Sequence, residues 1–237
     1  MVIKFLLLLI SAYLLGAVPS AYLVAKRLRG IDLRQYGSGN VGASNVMTAV
    51  SKQWGLAVII FDTVKGMAPI YAAQALGLEL APQIAIGLAA IIGHNWTVFL
   101  GFNGGRGILT TLGVLLVLAP KLVLIFLAFA LFLGLLRQLA LGTIITITAL
   151  PICSYFFPSQ FGITAEPLTL SLGFVAIWVV TIIRRLTAPR APIAASLSTS
   201  ELLVNRLLFD RDLRDREAWT HRTPQFKPGE PQERRIE

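Results

Sequence analysis

Charge is scarce in this chain. Only 14% of its 237 residues are charged, and acids are rarer than bases, with 12 aspartates and glutamates against 21 lysines and arginines. A soluble domain needs more polar surface than this, so a composition that is 55% hydrophobic, with a mean hydropathy of +0.72, excludes one. Cysteine occurs once, at Cys153 inside an apolar run, which rules out an internal disulfide or a cysteine metal cluster. Histidine occurs twice, without a neighbouring carboxylate cluster, so no metal-ligating set is visible. Walker motifs and repeats of 20 to 50 residues are missing too. The net charge of +9 would suit nucleic acid, but the bases are scattered around apolar runs without an aromatic-interleaved patch. Membrane orientation accounts for them, and no nucleic-acid partner is expected.

What is present is a series of apolar runs at about 2–24, 54–77, 82–100, 107–119, 121–136, 139–157 and 167–185. The first lacks a small-residue cleavage site and reads as a retained helix. The fourth and fifth flank Pro120, and form either one long kinked helix or two short spans with a turn at Ala119-Pro120-Lys121. Charge favours the turn. Lys26, Arg27, Arg29, Arg34 and Lys52 mark the first loop as cytoplasmic, and Lys4 alone leaves the N-terminus outside. Seven spans then bring Arg106, Arg137, Arg184, Arg185 and Arg190 to the cytoplasm, and place the connections holding Glu79 and Glu166 outside.

The fold expected is therefore all-α: a polytopic integral membrane protein with seven transmembrane helices, N-terminus outside and C-terminus cytoplasmic. Residues 1–185 form the membrane domain and 186–237 a cytoplasmic tail. In the tail, Ser198 and Glu201 have capping-box spacing, and Leu202, Leu203, Leu207, Leu208 and Leu213 give an amphipathic helix over about 199–219. It belongs on the membrane surface or against the bundle. Beyond Pro224 the composition reads as disorder, and His221 as solvated.

Four features share the cytoplasmic side. Gly37-Ser38-Gly39-Asn40-Val41-Gly42-Ala43-Ser44-Asn45 is uncharged and rich in glycine, hydroxyls and amides. It is either an anion cradle, with backbone N–H groups converging on phosphate, or a flexible connector. Asp62 and Lys65 share one helix face inside a span, as an ion pair locking helix packing, as part of a phosphate site, or as both. Gly104-Gly105-Arg106-Gly107 opens the fourth span, and is a second anion site or a positive anchor on a tight turn. His94, with Asn95 and Trp96 beside it, is a structural hydrogen bonder or a catalyst. No Ser/His/Asp constellation occurs in the spans. Nor does a histidine precede an aspartate by five, the signature of a large class of glycerolipid acyltransferases, since the fifth residue after His94 is Phe99.

At these residues the chain resembles the bacterial membrane acyl-phosphate:glycerol-3-phosphate acyltransferases, the PlsY family. The resemblance covers most of residues 1–185. Gly37-Ser38-Gly39-Asn40-x-Gly42-Ala43-x-Asn45, Asp62-x-x-Lys65-Gly66, Gly93-His94 and Phe102-x-Gly104-Gly105-Arg106-Gly107 stand in family order. It implies seven spans in the inner membrane of a bacterial cell and a cytoplasmic active site. The implied reaction moves an acyl group from acyl phosphate to the 1-hydroxyl of glycerol 3-phosphate, giving lysophosphatidate and phosphate, the first step of phospholipid synthesis. No metal or nucleotide cofactor is implied. The partners are the two substrates, membrane lipids and the soluble enzyme that makes acyl phosphate.

On this resemblance Ser38 and its surrounding amides (Gly37, Gly39, Asn40, Gly42, Ala43) hold the acyl-phosphate group. Arg106, flanked by Gly104, Gly105 and Gly107, neutralises phosphate charge, while Lys65, Asn45 and His94 shape the glycerol-phosphate pocket. Which glycine-rich loop holds which phosphate stays open. Three departures stand out. Arg106 replaces the usual lysine, Thr48 lies where many members carry arginine, and Arg184-Arg185-Leu186-Thr187 stands in place of a His-Arg-x-Asn motif. Arg184 and Arg185 are the candidates to substitute, and the helix bearing Asn205 and Arg206 is placed to fold back over the site. The alternative from another class is a transporter or flippase for a phosphorylated solute. Its usual marks are broken helices or polar groups at mid-bilayer and repeated halves, whereas here the polar features cluster at one face and no repeat is visible.

Overall fold

The computed structural model of the chain describes residues 2–220, and every regular element within them is helical. The expectations placed on His221 and on a disordered end lie outside the described residues. The first apolar run is a single stretch, Val2–Arg29, broken into α1 (Val2–Ala17) and α2 (Ser20–Arg29). Pro19 explains the break: it has no N–H to continue the ladder, and its ψ of 67° is not helical. The carbonyls released there need partners that lipid does not supply. Thr97 Oγ1 donates to Ala17 O at 2.5 Å and Lys65 Nζ to Val18 O at 3.0 Å.

The chain continues as α3 (Ala43–Ala49), α4 (Lys52–Ala75), α5 (Leu80–Asn95), α6 (Ile108–Leu118), α7 (Pro120–Leu135), α8 (Leu139–Phe156) and α9 (Pro167–Leu186). Val2–Arg29, α4, Leu80–Leu100, α8 and α9 are long and apolar enough to cross a membrane, making five candidate spans. The helices α6 and α7 are apolar but shorter. Eleven residues of α6 rise only about 17 Å. The seven predicted apolar runs are thus seven helical stretches, five of them of span length. At the doubtful junction the backbone leaves the helix at Ala119 (φ −150°, ψ 67°), and Pro120 starts α7 at its first position, where a missing N–H costs nothing. From there α6 packs against α4 and α7 against α8.

Small residues allow the tightest of these approaches. A Cβ on Gly16 or Gly93 would strike the facing backbone between α1 and α5, and one on Gly66 or Gly113 would do so between α4 and α6. The core between helices holds Ile70, Ile91, Val114, Leu122, Leu150 and Phe174. Ile3, Leu7, Phe132, Leu135 and Phe156 are exposed, as expected where lipid rather than protein covers them.

The tail differs from the single helix expected. It forms α10 (Thr199–Phe209), α11 (Arg216–Thr220) and a turn between them. Ser198 caps α10 by accepting the Glu201 N–H at 3.2 Å. The helix stops at Asp210, whose φ of 55° is left-handed. Asp212 then pulls the chain back: Arg206 Nε donates to its carboxylate at 2.7 Å, and Asn205 Nδ2 to its carbonyl at 3.0 Å. Leucine periodicity carries no sign of either contact. Of the two places expected for the amphipathic helix, α10 takes the one against the bundle, packed on α8 and α9.

Candidate active site

Three stretches that follow helix ends meet around one open pocket of about 130 Å³: the loop before α3, the loop before α6, and the chain after α9. Arg34, Arg106, Arg184 and Arg190 line it, together with Ser38, Gly39, Asn40, Asn103 and Gly104, and Trp219 of α11 closes one side.

The first loop is built around Asn45, which is only 3% exposed. Its Nδ2 donates to the carbonyls of Leu33 (3.1 Å), Tyr36 (2.9 Å) and Asn40 (3.1 Å), while its Oδ1 accepts the Ser38 N–H at 3.3 Å. Gly37 bends in left-handed backbone (φ 54°), and a Cβ there would collide with the Asn45 amide. Asn45 therefore shapes the loop from beneath and does not line the pocket.

The same bonds correct the expected amide cradle. The N–H groups of Ser38, Gly39, Asn40 and Gly42 are directed at the Asn45 side chain, Tyr36 O, Ser38 Oγ and Asn40 O respectively. A loop this short closes on itself because its buried amides need acceptors. Gly37, Gly42 and Ala43 stay off the pocket wall. What Ser38 presents to the pocket is its hydroxyl, which accepts from Asn40 N–H at 3.4 Å and keeps its own proton to donate.

The second loop needs a similar correction. Gly104 N–H donates to Asn95 O at 3.2 Å and Gly105 N–H to His94 O at 3.1 Å, so these amides stitch the loop to the end of α5. The carbonyls of the same residues accept from Arg184, Gly105 O from Nε at 2.8 Å and Gly104 O from Nη2 at 2.5 Å. Arg184 is 4% exposed and lies over the Trp96 ring, 5.9 Å from its centroid. Gly104 reaches the pocket, whereas Gly105 and Gly107 do not. Gly107 turns the chain into α6 at φ 73°, which leaves Arg106 at the tip. The loop's contribution is thus a guanidinium held between glycines, with its Nη1 paired to Asp210.

Lys65 and His94, both expected to shape the glycerol-phosphate pocket, do not line this one. Lys65 is 2% exposed, bound to Val18 O and paired with Asp62 at 2.8 Å, and Asp62 also accepts from Ser20 Oγ at 2.7 Å. Its charge is consumed at the broken first span. His94 sits behind Gly104 and Gly105 beside a water-sized hole that Val18 and Ser20 also border, and its ring fills the space a Gly105 Cβ would need.

Sequence reasoning missed Arg34, Asn103, Arg190 and Trp219 as pocket residues. The arginines had been credited to membrane orientation. Arg34 is held by Asp32 (2.6 Å) and lies over Tyr22, 5.6 Å from the ring centroid; the carboxyl of Asp32 is lowered below its usual range, chiefly by that hydrogen bond. Arg190 Nε donates to Ala194 O at 3.0 Å. Arg184 does reach the site, as proposed for the altered motif. Arg185, Asn205 and Arg206 do not line the pocket; they brace the tail.

Comparison with known proteins places this arrangement. The family model described as Glycerol-3-phosphate acyltransferase matches residues 6–190. "Glycerol-3-phosphate acyltransferase 5" of Dehalococcoides mccartyi (strain ATCC BAA-2266 / KCTC 15142 / 195) is 50% identical over 222 residues, 94% of this chain and 95% of that protein. "Glycerol-3-phosphate acyltransferase 4" of D. mccartyi strain CBDB1 is 49% identical over 218 residues, 92% of this chain and 94% of that protein. A crystal structure of PlsY, described as an integral membrane glycerol 3-phosphate acyltransferase in its glycerol 3-phosphate form, superposes with a TM-score of 0.70 at 30% identity, covering 91% of this chain and 97% of that one. With the family motifs in order, a helical membrane bundle and an arginine-lined pocket at its loops, the chain belongs to the PlsY family of glycerol-3-phosphate acyltransferases.

Proposed function

We propose that the arginine-lined pocket binds the phosphate groups of both substrates while the acyl group passes from acyl phosphate to the 1-hydroxyl of glycerol 3-phosphate. The observation that carries this is the convergence of Arg34, Arg106, Arg184 and Arg190 with the Ser38 hydroxyl at one pocket of an apolar bundle. Guanidinium groups suit phosphate because their planar forks match its oxygens at fixed charge. In the step itself, the glycerol oxygen bonds to the acyl carbon, the bond from that carbon to the phosphate oxygen breaks, and the hydroxyl proton leaves on phosphate. Phosphate is a competent leaving group, so the protein's part is to position two anions and neutralise their charge. Ser38 and Arg106 touch the reacting phosphate; Asn45, Lys65 and His94 support the walls.

The bond from Arg184 to the carbonyls before α6 also supports seven crossings. Gly104 and Arg184 stand at one face, so an even number of crossings separates them. With α8 and α9 each crossing once, a single crossing by α6 and α7 as one kinked helix does not fit that parity, whereas two separate crossings do, and the break at Ala119 allows them. The arginine-rich loops on that face support a cytoplasmic site in the inner membrane of a bacterium. An acyl phosphate, anionic at its head and apolar along its tail, made by a soluble enzyme, would then reach the pocket from that side.

The test is purified protein in detergent with acyl phosphate and glycerol 3-phosphate, following phosphate release. Release that depends on glycerol 3-phosphate and yields lysophosphatidate is expected. Release no faster than spontaneous hydrolysis, or equal turnover with acyl-CoA, would overturn the donor assignment.

A further inference from the structure

Arg106 stands at the tip of a turn between glycines and would be free to swing if nothing held its fork. It lines the pocket, yet its Nη1 is turned to the carboxylate of Asp210, which is not part of the pocket wall. Asp210 also lies 3.7 Å from Arg185 Nε, a buried group with no hydrogen bond of its own among the described residues. The chain around Asp210 is fixed independently. Arg185 Nη1 donates to Leu207 O at 2.8 Å, Arg206 Nη1 to Leu186 O at 2.7 Å, and Ala191 N–H to the Asp212 carboxylate at 2.7 Å. Those bonds dock the segment after α9 without help from the Asp210 side chain.

We propose that Asp210 is a positioning residue for Arg106, so that the C-terminal segment is a working part of the active site. By occupying one end of the guanidinium it orients the other toward the pocket, where a planar fork must be aligned before it can grip phosphate. The cost of a left-handed aspartate at the end of α10 is then explained by where it puts the carboxylate. This inference rests on the reading of the pocket as a phosphate site.

The experiment is a double-mutant cycle in the full chain, with Asp210→Asn and Asp210→Glu made in wild-type and Arg106→Lys backgrounds. kcat/KM for glycerol 3-phosphate is measured alongside inorganic-phosphate affinity by calorimetry, on preparations that elute as the wild type. Asp210→Asn should lower kcat/KM about tenfold or more, because misalignment of a binding group is costly. Asp210→Glu should recover part of that loss. In the Arg106→Lys background, Asp210→Asn should change kcat/KM less than about twofold, since an ammonium has no fork to orient. Equal losses in both backgrounds, or no loss in the wild type, would overturn the proposal. Phosphate affinity carries the same cycle without turnover. Coupling seen there in an enzyme inactive with acyl phosphate would sink the assigned reaction and leave the role of Asp210 standing.

Discussion

Lys65 donates to the carbonyl of Val18 at 3.0 Å, across the point where Pro19 breaks the first span. Of the two readings of this motif in the sequence, a packing ion pair and a phosphate site, the folded chain shows the ion pair, set against the broken end of a helix. Lys65→Met should therefore act on stability before catalysis. It strands Asp62 as a buried charge and Val18 O without a donor, a loss of about 3–5 kcal/mol for a broken buried pair. Thermal unfolding in detergent checks this. The double change Asp62→Leu/Lys65→Met should be less damaging than Lys65→Met alone, and an unchanged Tm for Lys65→Met would contradict the assignment.

Ser38→Ala removes the hydroxyl facing the pocket and the acceptor of Asn40 N–H, leaving the Asn45 hub intact. Turnover should fall by about a hundredfold, the usual loss for one donor to a developing anion. The Tm should stay close to wild type, and phosphate-release kinetics at saturating substrate give the measurement.

Arg184→Lys keeps the charge and loses the fork that joins Gly104 O and Gly105 O. Both kcat and KM should worsen, together by roughly tenfold or more in kcat/KM. Arg34→Lys, on a side chain 35% exposed, should cost much less. Equal effects of the two substitutions would mean that the bolt to the second loop does not matter.

Asn45→Asp preserves the oxygen that accepts Ser38 N–H and replaces the nitrogen that serves three carbonyls with another acceptor. An isosteric change should thus disrupt the loop more than Ser38→Ala does. Loss of activity together with a lowered Tm is expected; wild-type stability would show that the three donated bonds are dispensable.

The Asp32–Arg34 contact should be insensitive to mild acid. Arg34 lowers the folded pKa of Asp32, so the stabilising contribution is present above the unfolded value near ~3.9 and is lost as pH falls through the folded value. Between pH 8 and 5 the pH–rate profiles of wild type and Asp32→Asn should keep the same shape. A limb present only in the wild type in that range would contradict the pairing.

Much of the helical layout was legible because apolar runs and proline breaks are local properties: Pro120 marks the α6/α7 junction in both sequence and structure. The glycine-rich loops were also visible. Their direction was not, because whether an amide of Gly105 points to a ligand or to His94 O is decided by a residue on another helix. Arg34 and Arg190 were legible as charge and illegible as ligands, since Arg190 reaches the pocket only after the chain turns beyond α9. Asp210 and Trp219 sit in a tail whose leucine spacing suggested one continuous helix, and the turn that brings them inward rests on Asp212, which lies in sequence well beyond the end of the last span at Leu186.

The bond between Arg184 and the carbonyls of Gly104 and Gly105 also has a meaning in time. The ribosome delivers Ser38 and Arg106 long before the last span, yet the pocket is closed only when Arg184 and the segment behind it arrive. A chain halted after α8 carries both glycine-rich loops and no finished site. Such fragments, left in a membrane by interrupted synthesis, would be inert, and activity becomes a property only of chains whose last span has been inserted the right way round.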